Sequence, residues 1–466
     1  MIKKEGYATW LFVVFPAITM MLGWGLRGHI GGGPFGAMIP GALVALSISM
    51  LLKLPAGMAS VFVVFGAVGI GLGGEMTYGQ TLGFLKSPDT MWWGTLGTTV
   101  KGSVWGLLGG IVIGIGLIYN RLSKRTIITA FLLLLAGMLI GFKLINQPMV
   151  VYFSDPANPR SESWGALLVG AIALLIFLKN KIATDGFTII SRFAFWGLLG
   201  GGLGFGLGGF WMVLGFHLPN EVIFHSWWKA MEFTFGLLLG GALGYAAWLN
   251  RKEILRDKEK LADEPISTSK TILQEFTVTL IVGLLIYWVF SSWLDPVVEA
   301  GKGTKGFSMI GSRDIAILLS NFAFFGLIMI LAVMRFPTVA WQIAITITFC
   351  HTTIDLMSGL YPDTASSSPV ATRITLIFLM TIAVAVLTAY FQRRKNILHT
   401  LFLLLVWSTV TISFLRLFIN PESLNISGLS FCKIVCGKFI VDIIFLVSAL
   451  IVSFISFQKI RQPQKS

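Results

Sequence analysis

Apolar residues run along this chain in long, nearly unbroken stretches, each about as long as a lipid-spanning helix, with short polar segments between them. A bilayer core of roughly 30 Å takes about 20 apolar residues in helical form. Runs of that kind fall near residues 8–25, 34–52, 56–73, 102–120, 126–145, 164–179, 186–209, 230–249, 271–293, 313–334, 337–356, 371–391, 397–418 and 437–457. They predict an all-α polytopic membrane protein of about 14 transmembrane helices. With strict alternation, the basic segments RLSKR, KNK, RKEILRDKEK, QRRK and the C-terminal tail all fall on the side of Lys3 and Lys4. Short positive loops stay in the cytoplasm. The expected protein is therefore a multi-pass protein of the cell (inner) membrane with both termini cytoplasmic. The first run has no A-x-A-like cleavage site after it, so it reads as a retained helix.

Composition removes the soluble alternatives. Of 466 residues, 55% are hydrophobic and 12% are charged, with a mean hydropathy of +0.82. A typical soluble chain has roughly 45–50% and about 25%. The net charge of +14 would suggest a nucleic-acid partner in a soluble chain, but here it orients the spans, and no nucleic-acid partner is expected. Cys350, Cys432 and Cys436 form neither a CxxC pair nor a metal-ligand spacing with His. They read as free thiols, and neither a metal nor another cofactor is expected.

The longest polar stretch, residues 251–270, divides the chain. Most of the 52 glycines precede it. The expected organisation is a glycine-rich eight-span repeat bundle over 1–250, a cytoplasmic charged linker over 251–270 and a six-span bundle over 271–466.

Three spans running outward end on one hexad: Gly23-Trp-Gly-Leu-Arg-Gly28, Gly69-Ile-Gly-Leu-Gly-Gly74 and Gly204-Phe-Gly-Leu-Gly-Gly209. Each matches G-x-G-x-x-G, but the strand-to-helix setting of a dinucleotide fold is missing. What the hexads offer is a helix surface without side chains, suited to close helix approach or to a broken, substrate-lining segment. The returning spans echo one another as Phe35-Gly-Ala, Trp105-Gly-Leu-Leu-Gly-Gly110, Trp164-Gly-Ala and Phe235-Gly-Leu. Their leading aromatics are expected at the outer interface. A helical hairpin reiterated up to four times in parallel, with the fifth span degenerate, accounts for these matches.

Ionisable residues within hydrocarbon are costly and mark function. Here they gather at the outer ends of spans. Arg27 and His29 sit in Leu26-Arg-Gly-His-Ile-Gly-Gly-Gly-Pro34, where a guanidinium fork and glycine amides could hold an anion. After Pro219, the residues Glu221, His225, Lys229 and Glu232 recur at helical spacing on one face, leading into the eighth span. Glu75 directly follows the second hexad. His351 and Asp355 stand i, i+4 apart, a spacing that lets Asp orient His as a proton relay or base. The Trp92-Trp93 and Trp227-Trp228 pairs read as an interfacial belt.

These features predict a transporter of a small polar or anionic solute with an ionisable site in the outer half of the bilayer. In it, Arg27 and backbone amides bind the anion, and Glu75, His225 and Glu232 carry protons or a coupling cation. The alternative is an outer-leaflet acyl or glycosyl transferase acting on a lipid-linked or exported glycan, with His29, His225 or the His351–Asp355 pair as base. A non-catalytic scaffold is the third class. Lipid and a small solute are the expected partners, and oligomeric state is left open.

Overall fold

The protein is described here from a computed structural model, over residues 7–30, 33–76, 78–154, 162–218, 226–258, 321–338, 396–419 and 426–460, with isolated positions between them. Every described element is a helix. In chain order these are α1 (Thr9–Ile30), α2 (Gly33–Leu51), α3 (Ala56–Leu72), the short α4 (Gly79–Gly83), α5 (Met91–Leu117), α6 (Lys124–Gly141), α7 (Trp164–Lys181), α8 (Thr184–His217), α9 (Trp227–Lys258), α10 (Phe322–Arg335), α11 (Ile397–Ile419) and α12 (Ile440–Ile455). Ten stretches among the described residues are long and apolar enough to cross a membrane, and α10 is a shorter apolar helix. The chain is a multi-pass membrane protein. The expected spans at 271–293, 337–356 and 371–391 lie outside the described residues, apart from isolated positions.

Local signals set several helix ends. The Ser123 hydroxyl accepts the Thr126 amide at 3.0 Å and starts α6. The Asn321 side chain accepts the Ala323 amide at 2.9 Å and starts α10. Such caps satisfy amides that have no partner within the helix. The helices of 34 and 32 residues, α8 and α9, extend about 51 and 48 Å at 1.5 Å per residue, well beyond the hydrocarbon. The first residues of the expected cytoplasmic linker, 251–258, continue α9 as helix.

Six helices close into a ring. α1 packs on α2, α2 on α3, α3 on α5, α5 on α8, α8 on α9, and α9 returns to α1. The three hexads lie on alternate members, α1, α3 and α8. Their first glycines face the helix that follows in the ring: Gly23 meets Pro40 of α2, Gly69 meets Gly109 and Val112 of α5, and Gly204 meets Phe235 of α9. The glycines at their third position face the helix that precedes: Gly25 meets Phe233 of α9, Gly206 meets Thr99 of α5, and Gly71 meets Met38 of α2 beside a closer contact with Phe322 of α10. In lipid, helices gain from van der Waals contact rather than from hydrophobic exclusion. Glycine brings the axes close enough to provide it. On the α5–α8 seam, Gly106 and Gly197 lie against each other's carbonyls, and a methyl group on either would overlap the facing backbone.

The hexads of α1 and α8 are continuous α-helix, whereas the second tightens into a 3₁₀ turn at Gly73–Glu75. The remaining hairpin, α6–α7, stays outside the ring and leans on α5 through α7. α10 rests on α3 and α6, α11 on α1 and α2, and α12 on α1 and α11. Large apolar side chains such as Ile176, Phe195, Leu203 and Phe454 remain exposed on the outer faces, where lipid is the solvent.

Candidate functional site

The ring encloses an aromatic centre near the end where the hexads finish. Trp24 and Phe205 are the second residues of the α1 and α8 hexads, and Trp105 and Phe235 lead the glycine motifs of α5 and α9. All four are fully buried. Phe205 and Phe235 stack at 3.7 Å, Trp24 meets Phe235 at 4.3 Å, and Trp24 meets Trp105 edge-on at 5.0 Å. The interfacial position expected for Trp105 and Phe235 is therefore corrected. α5 and α9 start earlier than hydropathy implied, at Met91 and Trp227, so both aromatics sit well inside their helices.

The Trp105 indole has a backbone cause for its place. α3 stops at Leu72, which leaves the Ile70 carbonyl among those without a partner further along the helix. Trp105 Nε1 donates to that oxygen at 2.7 Å. The ring lies over Gly73, where a methyl group would overlap it.

Arg27 enters at the fifth hexad position, which is glycine in the other two copies (Gly73 and Gly208). Its side chain is 2% exposed. The guanidinium carbon lies 5.2 Å from the Trp24 ring, 5.3 Å from Trp105 and 5.4 Å from Tyr78. Nη1 donates to the Tyr78 hydroxyl at 2.7 Å. Tyr78 is its one hydrogen-bond partner among the described residues, and no described carboxylate forms an ion pair with it. Arg27 Nε and Trp24 Nε1 are both buried without a partner among the described residues. Such donors are rare in native interiors.

A second element stands beside the first. At the start of α9, Lys229 Nζ donates to Glu232 Oε2 at 2.7 Å and to the Gly25 carbonyl at 3.1 Å. Trp228 Nε1 donates to Glu232 Oε1 at 2.8 Å. Glu232 is 1% exposed and lies against Gly28. Tyr78, partly exposed and outside the spanning helices, closes the cluster against Phe205 at 5.2 Å and Trp228 at 6.0 Å. Burial pushes its phenol above the ordinary value. Arg27 pulls it back and the Glu232 charge adds to the rise.

Of the residues singled out from sequence, the fold gathers Arg27, Lys229 and Glu232 around α1. His29 is set against Phe445 of α12, with ring centroids 5.6 Å apart. Glu75 is directed elsewhere. Its Oε1 accepts the Phe322 amide at 3.1 Å, at the start of α10. His225, His351 and Asp355 lie outside the described residues, as do Gly31 and Gly32 of the glycine triplet. Trp228, read from sequence as belt, is a ligand of Glu232. Trp24, Tyr78, Trp105, Phe205 and Phe235 are not among the site residues that the sequence predicts. The signal for four of them was present, because they stand at matching positions of the repeated motifs.

A separate buried ion pair lies between α5 and α7. Lys101 Nζ meets Glu162 Oε1 at 2.6 Å and the Thr81 hydroxyl at 2.7 Å. Glu162 also accepts from Ser154 Oγ at 2.7 Å, the Phe153 amide at 3.0 Å and Trp164 Nε1 at 3.2 Å. Its oxygens are well supplied with donors, so the pair anchors the 147–154 segment to the ring. Towards the far end, Arg192 of α8 donates to Asn250 of α9 at 2.9 Å.

Among the described residues, no group of three or more His, Cys, Asp or Glu side chains is arranged to hold a metal ion. No protein-family model, curated protein or solved structure matches the chain.

Proposed function

We propose that the chain is a multi-pass transporter of a small polar or anionic solute, with its ionisable site in the outer half of the bilayer. The observation that carries this reading is the Arg27 guanidinium: buried in a ring of six helices, faced by three aromatic rings, and without an ion-pair partner among the described residues. A charge held this way in hydrocarbon is costly and marks a solute or ion path. In this reading Arg27 binds the solute. Lys229 and Glu232, one helix away, carry the coupling proton or cation. The matching glycine contacts of the three hexads support descent of the ring from a repeated hairpin, an arrangement common in secondary transporters. The positive-inside bias of the sequence supports an outer-face location for this end of the bundle.

The test is uptake of isotope-labelled acetate, nitrate, phosphate, sulfate and glycine into proteoliposomes. Accumulation above empty vesicles for at least one solute is expected, and the Arg27→Met and Glu232→Gln variants should lose it. Uptake indistinguishable from empty vesicles for all five, or uptake untouched by both variants, overturns the reading.

A further inference from the structure

We infer that the solute bound at Arg27 is a planar monovalent oxyanion, a carboxylate or nitrate, held side-on by the guanidinium and by the Trp24 indole N–H; the inference rests on the transporter reading above. Three observations lead to it. The first is which donors are already used. Nη1 is engaged with Tyr78 at 2.7 Å, and the remaining side-on edge of the guanidinium, Nε and Nη2, makes no hydrogen bond among the described residues. That edge presents two parallel N–H groups, the spacing that matches the two oxygens of a planar oxyanion.

The second is the neighbouring donor. Trp24 lies three residues before Arg27 on the same helix, so the two side chains share a face. Its indole nitrogen is buried and, like Arg27 Nε, has no acceptor among the described residues. An indole can only donate. Two buried donors without acceptors call for a ligand that accepts hydrogen bonds, which an oxyanion does and an ammonium group cannot.

The third is the charge balance. Lys229 and Glu232 neutralise each other at 2.7 Å. The cluster's remaining described charge is the one guanidinium. Among the described residues a monoanion brings the sum to zero, whereas a dianion leaves a net negative charge beside Trp105, Phe205 and Phe235, whose faces repel it. Sulfate and dibasic phosphate are therefore disfavoured.

Purified full-length protein, at constant ionic strength in detergent, is titrated with sodium acetate, nitrate, sulfate and phosphate while tryptophan fluorescence is followed. Saturable binding of acetate, nitrate or both is expected, with sulfate and phosphate at least about tenfold weaker. Acetate alone assigns an organic carboxylate, nitrate alone an inorganic ion, and either supports the class. Arg27→Lys keeps the charge and loses the fork, and should weaken binding at least about tenfold. Trp24→Phe keeps a buried ring and removes one N–H. It should weaken binding about three- to tenfold, the value of one hydrogen bond. If the Arg27 variant does not fold, Trp24→Phe decides. Equal or tighter binding of sulfate or phosphate, binding unchanged in Trp24→Phe, or no saturable binding of any of the four overturns the inference. Binding as expected without labelled uptake into proteoliposomes leaves the class standing and overturns transport, so the two failures are distinguishable.

Discussion

The Glu232 carboxylate lies directly against the backbone of Gly28, so close that a methyl group there would overlap both of its oxygens. One hydrogen in place of a side chain thus lets α9 bring its acid to α1. Gly28→Ala forces the carboxylate away from Lys229 and Trp228. Overpacking of this kind costs about 1–3 kcal/mol. Thermal unfolding in detergent should show a clear drop for this variant and little change for Gly57→Ala, a helical position with open space around it.

Arg27→Met should behave in the opposite way. Burying a guanidinium without a carboxylate partner among the described residues is costly, and a flexible apolar side chain of similar length removes that cost. The unfolding temperature is expected to stay level or rise while anion binding disappears. A fall as large as that of Gly28→Ala would mean that Arg27 is structural.

The Lys101–Glu162 pair follows the ordinary rule for a buried bridge. Glu162→Gln or Lys101→Met removes one partner of the pair and should destabilise by about 3–5 kcal/mol. The double variant Lys101→Met/Glu162→Gln should recover part of that loss, and anion affinity at Arg27 should hold in whichever variants fold. Chemical unfolding of the four proteins, arranged as a cycle, checks the coupling.

Tyr78 carries a pH signature. Its phenol is raised in the folded state, so above about pH 10 the unfolded chain releases its proton first. The stability it contributes is present at neutral pH and is lost as the pH climbs through the folded value. Wild-type protein should therefore lose stability above about pH 10 more steeply than Tyr78→Phe. Parallel curves for the two would refute the shift.

Glu75 offers a control for site assignment. Because it caps the start of α10, Glu75→Gln weakens a charge-assisted amide contact and should cost about 1 kcal/mol of stability. Anion affinity should not change. A large loss of affinity would place Glu75 in the Arg27 site after all.

Hydropathy is a property of each segment alone, and it was enough to determine the membrane class, the first eight spans and the last two. The hexads were legible as well, and within them Arg27 stood out as the one charged residue where the other copies carry glycine. Convergence was not legible. Arg27, Tyr78, Trp105 and Glu232 are far apart in the chain, and nothing in any one segment says that α9 returns to α1 or that α5 lies between α3 and α8. Those neighbours are chosen by close backbone contacts such as Gly106 on Gly197, whose partners are visible only once both helices are placed. Lys101 could be seen to need a partner, but Glu162 was named only by the packing of α5 near the start of α7. The tertiary structure alone decided that most of the aromatics heading the glycine motifs turn inward, because the close approach that glycine allows leaves a centre that only large flat side chains fill.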